Sequence, residues 1–172
     1  DRAIALEDVA RKAIIEPSTS LDQVKHLGGV LLKKTPQGQQ AWKELQGATL
    51  GYIRDEAYKG VSRDAAGNQI ISPAALNRTI TSLDKTGKLD YVFGKKGAEQ
   101  LRILNETAQD VFTAPPGSVN TSNTASALLL SLDTLATFGT TGLPVPAVRA
   151  LAEMRKAMKN REVRKRVDEA LK

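Results

Sequence analysis

The residues of this chain most able to do chemistry lie in Asp84-Lys85-Thr86-Gly87-Lys88-Leu89-Asp90 and the Gly94-Lys95-Lys96-Gly97 turn that follows. Acidic side chains bracketing a glycine would suit calcium, whose helix-loop-helix site needs oxygen ligands at positions 1, 3, 5 and 12 and a glycine at position 6. Counted from Asp84, the glycine falls at position 4, Lys88 at position 5 and Lys95 at position 12. This spacing predicts a glycine-capped helix end, not a cation loop. A glycine-lysine turn ahead of a helix could hold a phosphate on free backbone N–H groups. The G-x-x-x-x-G-K-[ST] spacing is missing and no strand precedes the turn, so 94–97 reads as a solvated turn.

Acid–base and nucleophilic chemistry have equally little to stand on. Glu44, Asp55 and Glu56 fall on or beside one predicted helix, and nothing in their spacing selects two of them as a pair. There is one histidine, His26, and no cysteine. A Ser-His-Asp arrangement would rest wholly on His26, which lies beside Gly28-Gly29 and reads as a packing or surface residue. Disulfides, thiolate metal sites and multi-histidine sites are excluded by composition. The chain is expected to be non-catalytic, with no cofactor, metal or small-molecule substrate.

The electrostatic feature with functional content is the C-terminal end. From Arg149 to Lys172 there are nine Lys/Arg against four Asp/Glu, so this segment holds +5 of the net +6. Arg149, Arg155, Lys156, Lys159, Arg161, Arg164, Lys165 and Arg166 are the candidate contacts for an anionic partner. On a helix they could meet nucleic-acid phosphates, with steep salt dependence, or anionic lipid. The plain alternative is a solvated face with pairs such as Glu162 to Arg166. Upstream, Asp133 is the sole charge between Thr124 and Val148. That nearly matches the ~20 apolar residues of a spanning helix. Seven Ser/Thr, two Gly and two Pro in the run point instead to a buried or oligomer-contacting helix.

The elements that would position these residues are helical. Leu6, Val9, Ala10, Ala13 and Ile14 recur at the spacing of one helix face, and Pro17 ends that run. Ser20 offers an N-cap to a helix through Lys33 or Lys34, with Val24, Leu27 and Leu31 inward and Gly28-Gly29 marking a kink or a close backbone crossing. Thr35-Pro36 starts a helix carrying Trp42, Leu45, Thr49, Tyr52 and Ile53 to about Tyr58. Arg63 to Asn68 reads as a loop and Gln69-Ile70-Ile71 as a short extended piece. Ser72-Pro73 starts a helix that buries Leu76, Ile80 and Leu83 and stops at Gly87. Leu89, Tyr91, Val92 and Phe93 read as an apolar connection pinned to the core. A further helix from about Lys96 to Phe112 buries Leu101, Leu104, Ala108 and Val111.

The 172 residues, 41% apolar and only 4% aromatic, suit helix-on-helix packing of aliphatic side chains better than a β-sandwich. The expected architecture is all-α: an irregular multi-helix bundle of about seven helices with a central helical hairpin and a basic C-terminal helical extension. Residues 1–112 form the helical body, 113–123 a linker rich in Pro, Gly, Ser, Thr and Asn, and 124–172 the apolar helix plus basic helices. The chain opens at Asp1 and carries no visible signal peptide, as expected of an excerpt from a longer protein.

The stretch SPAALNRTITSLDKTGKLDYVFGKKGAEQLRILNETAQDVFTAPPGSVNTSNTAS, Ser72 to Ser126, resembles a segment recurring near the C-terminus of large proteins of tailed bacteriophages and prophages. In those proteins a small-residue-rich apolar helix and a basic end follow, as Ala125–Lys172 do here. The resemblance implies a virion-associated protein of the internal or ejection type, packaged in the capsid and passing with the genome towards the host envelope. Its implied partners are other virion proteins or a second copy of itself, with DNA or anionic membrane at the tail. No catalytic residue belongs to the shared segment. Two other readings fit the residues: an accessory domain of a larger phage enzyme acting on peptidoglycan or nucleic acid, and a free-standing basic DNA-binding helical protein.

Overall fold

The computed structural model of the protein describes residues 6–59 and 71–112, and among them the chain is all-α, with five helices and no strand. The first helix, α1 (Leu6–Ala10), runs on into a π-helical turn, Arg11–Ile15, closed by the Glu16 N–H donating to the Arg11 carbonyl at 2.8 Å. Ala10 and Ile14 are fully buried, and Val9 and Ala13 pack beside them, as the apolar spacing requires. Beyond Pro17 the chain is drawn back by the Thr19 hydroxyl, which donates to the Lys12 carbonyl at 2.6 Å.

Ser20 then caps α2 (Leu21–Lys34) through a reciprocal pair of bonds. The Gln23 N–H donates to Ser20 Oγ at 3.2 Å, and the Ser20 N–H donates to Gln23 Oε1 at 2.7 Å. Two of the donors that every helix start leaves unpaired are satisfied in this way. At Gly28 the close neighbours are two aromatic side chains rather than the crossing backbone expected of Gly28-Gly29. A Cβ there would stand 2.5 Å from the Tyr91 hydroxyl and 3.1 Å from the edge of the Trp42 ring. The rings of Trp42 and Tyr91 meet edge-to-face with centroids 5.9 Å apart, an arrangement the ring quadrupoles favour.

The longer helix α3 (Pro36–Tyr58) packs against α1, α2 and α4. Its start is the Thr35-Pro36 signal in full: Thr35 Oγ1 accepts the Gly38 N–H at 3.0 Å, and Pro36 occupies the first turn, where its missing donor is not needed. Trp42, Leu45, Thr49, Leu50, Ile53 and Ala57 are buried, while Tyr52 is half-buried. The polar Thr49 is tolerated inside because its hydroxyl donates to the Leu45 carbonyl at 2.7 Å.

Ile71 is buried and non-helical; Gln69 and Ile70 of the expected extended piece lie outside the described residues, as does the 63–68 loop. The Ser72 N–H donates to the Ala57 carbonyl at 2.7 Å, which sets the start of the next helix against the end of α3. That helix, α4 (Pro73–Lys85), is capped by Ser72 Oγ and buries Ala75, Leu76, Ile80 and Leu83. It ends at Thr86, with Gly87 at φ +78° in the left-handed C′ position.

The last described helix, α5 (Lys88–Phe112), is broken at Gly94, whose φ of 71° and ψ of 167° belong to a region open essentially to glycine alone. The expectation of a looped connection over 89–93 is therefore corrected: these residues form a short helix ahead of the break. Leu89 and Val92, three apart, share one face of it and are fully buried, while Tyr91 and Phe93 are half-buried. The connection is pinned to the core, as its composition implies, but as helix. After Gly94 the chain buries Ala98, Leu101, Leu104 and Ala108; the Val111 side chain lies outside the described residues.

The pair α4 and α5 runs antiparallel, as the order of their side-chain bonds shows. Gln109 donates to the Pro73 carbonyl at 2.7 Å, Asn105 to Asn77 Oδ1 at 2.9 Å, and Arg102 reaches Asp84 at the far end. The expected linker 113–123 and the apolar and basic segments of 124–172 lie outside the described residues.

Candidate functional site

Asp84 and Asp90, two of the residues singled out for chemistry, are brought together by Arg102, which stands on α5 beyond the Gly94 break. Its guanidinium donates from Nη2 to Asp84 Oδ1 at 2.8 Å and to Asp90 Oδ2 at 2.9 Å. From Nε it reaches both oxygens of Asp84 at 3.2 Å, and from Nη1 it reaches Glu99 at 3.4 Å. The two acids of the Asp84–Asp90 turn thus serve as a fork for one arginine, the geometry guanidinium groups favour. The ion pairs join α4, the short helix 88–93 and the body of α5.

The hydrogen bonds from Arg102 hold the Asp84 carboxyl below its ordinary value of 3.8, with burial opposing them in part. Asp84 and Asp90 in turn raise the pKa of Arg102, which stays charged at any usable pH. A carboxyl with a depressed folded-state pKa contributes stability that is full above its unfolded value and is lost as pH falls through the folded one. The unfolding midpoint of the wild-type chain should therefore fall more steeply than that of Arg102→Met as pH drops below the ordinary carboxyl value of 3.8. Parallel curves in urea titrations across that range would show that the pair makes no such contribution.

A second cluster surrounds Lys88. The residue is only 2% exposed, and its Nζ donates to the carbonyls of Ile14 at 2.8 Å and Glu16 at 3.0 Å. The Ile14 carbonyl belongs to the last turn of the π-helical segment, where acceptors lack intrahelical donors and the dipole is negative; the Glu16 carbonyl also accepts the Thr19 N–H at 3.0 Å. Burial lowers the Lys88 pKa from the ordinary lysine value. On the same short helix the Tyr91 hydroxyl donates to the Lys25 carbonyl of α2 at 3.3 Å, and the Val92 carbonyl accepts from Gln46 of α3. Among the described residues no buried side-chain nitrogen or oxygen lacks a partner.

The remaining sequence candidates are dispersed. His26 is exposed on α2. Glu44 accepts from Gln40 at 3.3 Å, Asp55 pairs with Arg54 at 3.1 Å, and Glu56 pairs with Lys59 at 3.1 Å, all on or next to α3 itself. Lys95 and Lys96 are exposed just after the Gly94 break. Arg149, Arg155, Lys156, Lys159, Arg161, Arg164, Lys165 and Arg166 lie outside the described residues. Among the described residues no three His, Asp or Glu groups could hold a metal ion, and no helix is long and apolar enough to cross a membrane. A shallow depression on α3 is lined by Pro36, Gln37, Gln40, Ala41 and Glu44.

Sequence reasoning missed the parts played by Lys88 and Arg102. Lys88 reaches acceptors 72 and 74 residues away, and Arg102 acids 18 and 12 residues away, so no short-range pattern carries either bond. The available signal was a lysine between a helix-ending glycine and an apolar run, which local reading assigns to solvent. No protein-family model, no curated protein and no solved structure matches this chain.

Proposed function

We propose that this chain is a non-catalytic structural and interaction region of a tailed-phage or prophage virion protein, of the internal or ejected type. Its helices contact other virion proteins or a second copy of the chain, and the basic residues of 149–172 meet DNA or anionic membrane. In this reading the whole chain is a bundle of about seven helices whose central hairpin is the α4–α5 pair and whose C-terminal end is a basic helical extension. It resides in the capsid interior and reaches the host envelope with the ejected genome.

One observation carries the reading. The stretch that resembles phage virion proteins commits the acids of its central turn, Asp84 and Asp90, to Arg102 of its own helix, and commits Lys88 to the carbonyls of Ile14 and Glu16 at the end of the first helical segment. A segment whose charged groups are committed in this way acts as architecture. Its ligands are then surfaces of other macromolecules rather than substrates.

Mass spectrometry of gradient-purified virions from the producing strain should detect peptides of this polypeptide at structural-protein abundance. Their absence from virions that contain the other structural proteins would overturn the assignment. For the tail, the full chain should bind duplex DNA or anionic vesicles with an affinity that falls steeply with salt, and removal of residues 149–172 should abolish that binding. Binding that survives the truncation would place the anionic contact elsewhere.

A further inference from the structure

We draw no further inference here: the strongest candidate, the strip of α3 where Gly47 and Gly51 leave open space beside the shallow depression at Gln40 and Glu44, is a stripe of small residues, and nothing among the described residues shows what covers it.

Discussion

Replacing Lys88 by alanine is expected to destabilise the fold by about 3 kcal/mol, read as a lower urea midpoint with an unchanged denaturant slope. Two terms add. The truncation empties the space of a long side chain that is only 2% exposed, and it takes the Lys88 donor from the Ile14 carbonyl and one of two donors from the Glu16 carbonyl, which keeps the Thr19 N–H at 3.0 Å. Lys88→Met separates them, because it keeps most of the volume and removes the charge and the donor together. The pH dependence has a definite sign. Burial holds the Lys88 pKa below the ordinary 10.5, which means that burial of the charged ammonium weighs against the fold. As pH rises from the folded-state value towards 10.5, the unfolded chain binds the proton more tightly and stability increases. The wild-type chain should therefore gain on Lys88→Met as the pH becomes alkaline. A wild-type chain that instead loses ground would show that the charge itself holds the turn, outweighing its desolvation.

The same substitution at three glycines of α3 should give opposite signs. A Cβ at Gly38 would stand 2.2 Å from the Leu31 carbonyl oxygen, which is backbone and cannot swing aside. Gly38→Ala should cost about 2–3 kcal/mol, since overpacking outweighs the gain of up to about 1 kcal/mol in helix propensity. At Gly47 and Gly51 nothing lies within 4 Å of the added carbon among the described residues. Each change to alanine there should stabilise by about 0.5–1 kcal/mol, because the folded chain meets no clash and the unfolded chain loses freedom. Thermal melts of the three variants under one buffer suffice. If Gly38→Ala is neutral, the α2–α3 approach is looser than the 2.2 Å contact implies.

What could be read from the residues alone divides along sequence distance. The starts of α2, α3 and α4 were legible at Ser20, Thr35-Pro36 and Ser72-Pro73, because a cap bonds an N–H only three residues on. The buried faces were legible wherever the helical period was sustained, as at Leu76, Ile80 and Leu83 or at Leu101, Leu104 and Ala108. Two features were not. The π-helical turn at Arg11–Ile15 widens a helix whose apolar spacing reads as ordinary. The short helix 88–93 lies between Gly87 and Gly94, too short a run for periodicity to register, and it is held by bonds to residues dozens of positions away. The same distance effect hid the candidate site: the turn acids could be excluded as a calcium loop from spacing, but their arginine could not be found that way.

The short helix 88–93 also fixes an order of events in the making of the protein. Its tethers join residue 88 to residues 14 and 16, residue 91 to residue 25, and residue 92 to residue 46. The first three helices, 6–58, therefore leave the ribosome before any of these anchors exists, and their shared core stays incomplete until Val92 has emerged. Closing contacts across such long stretches costs chain entropy before it returns stability, which slows the final step. A nascent chain halted before residue 88 should accordingly be cut by protease throughout α1–α3, and one that extends beyond residue 112 should resist.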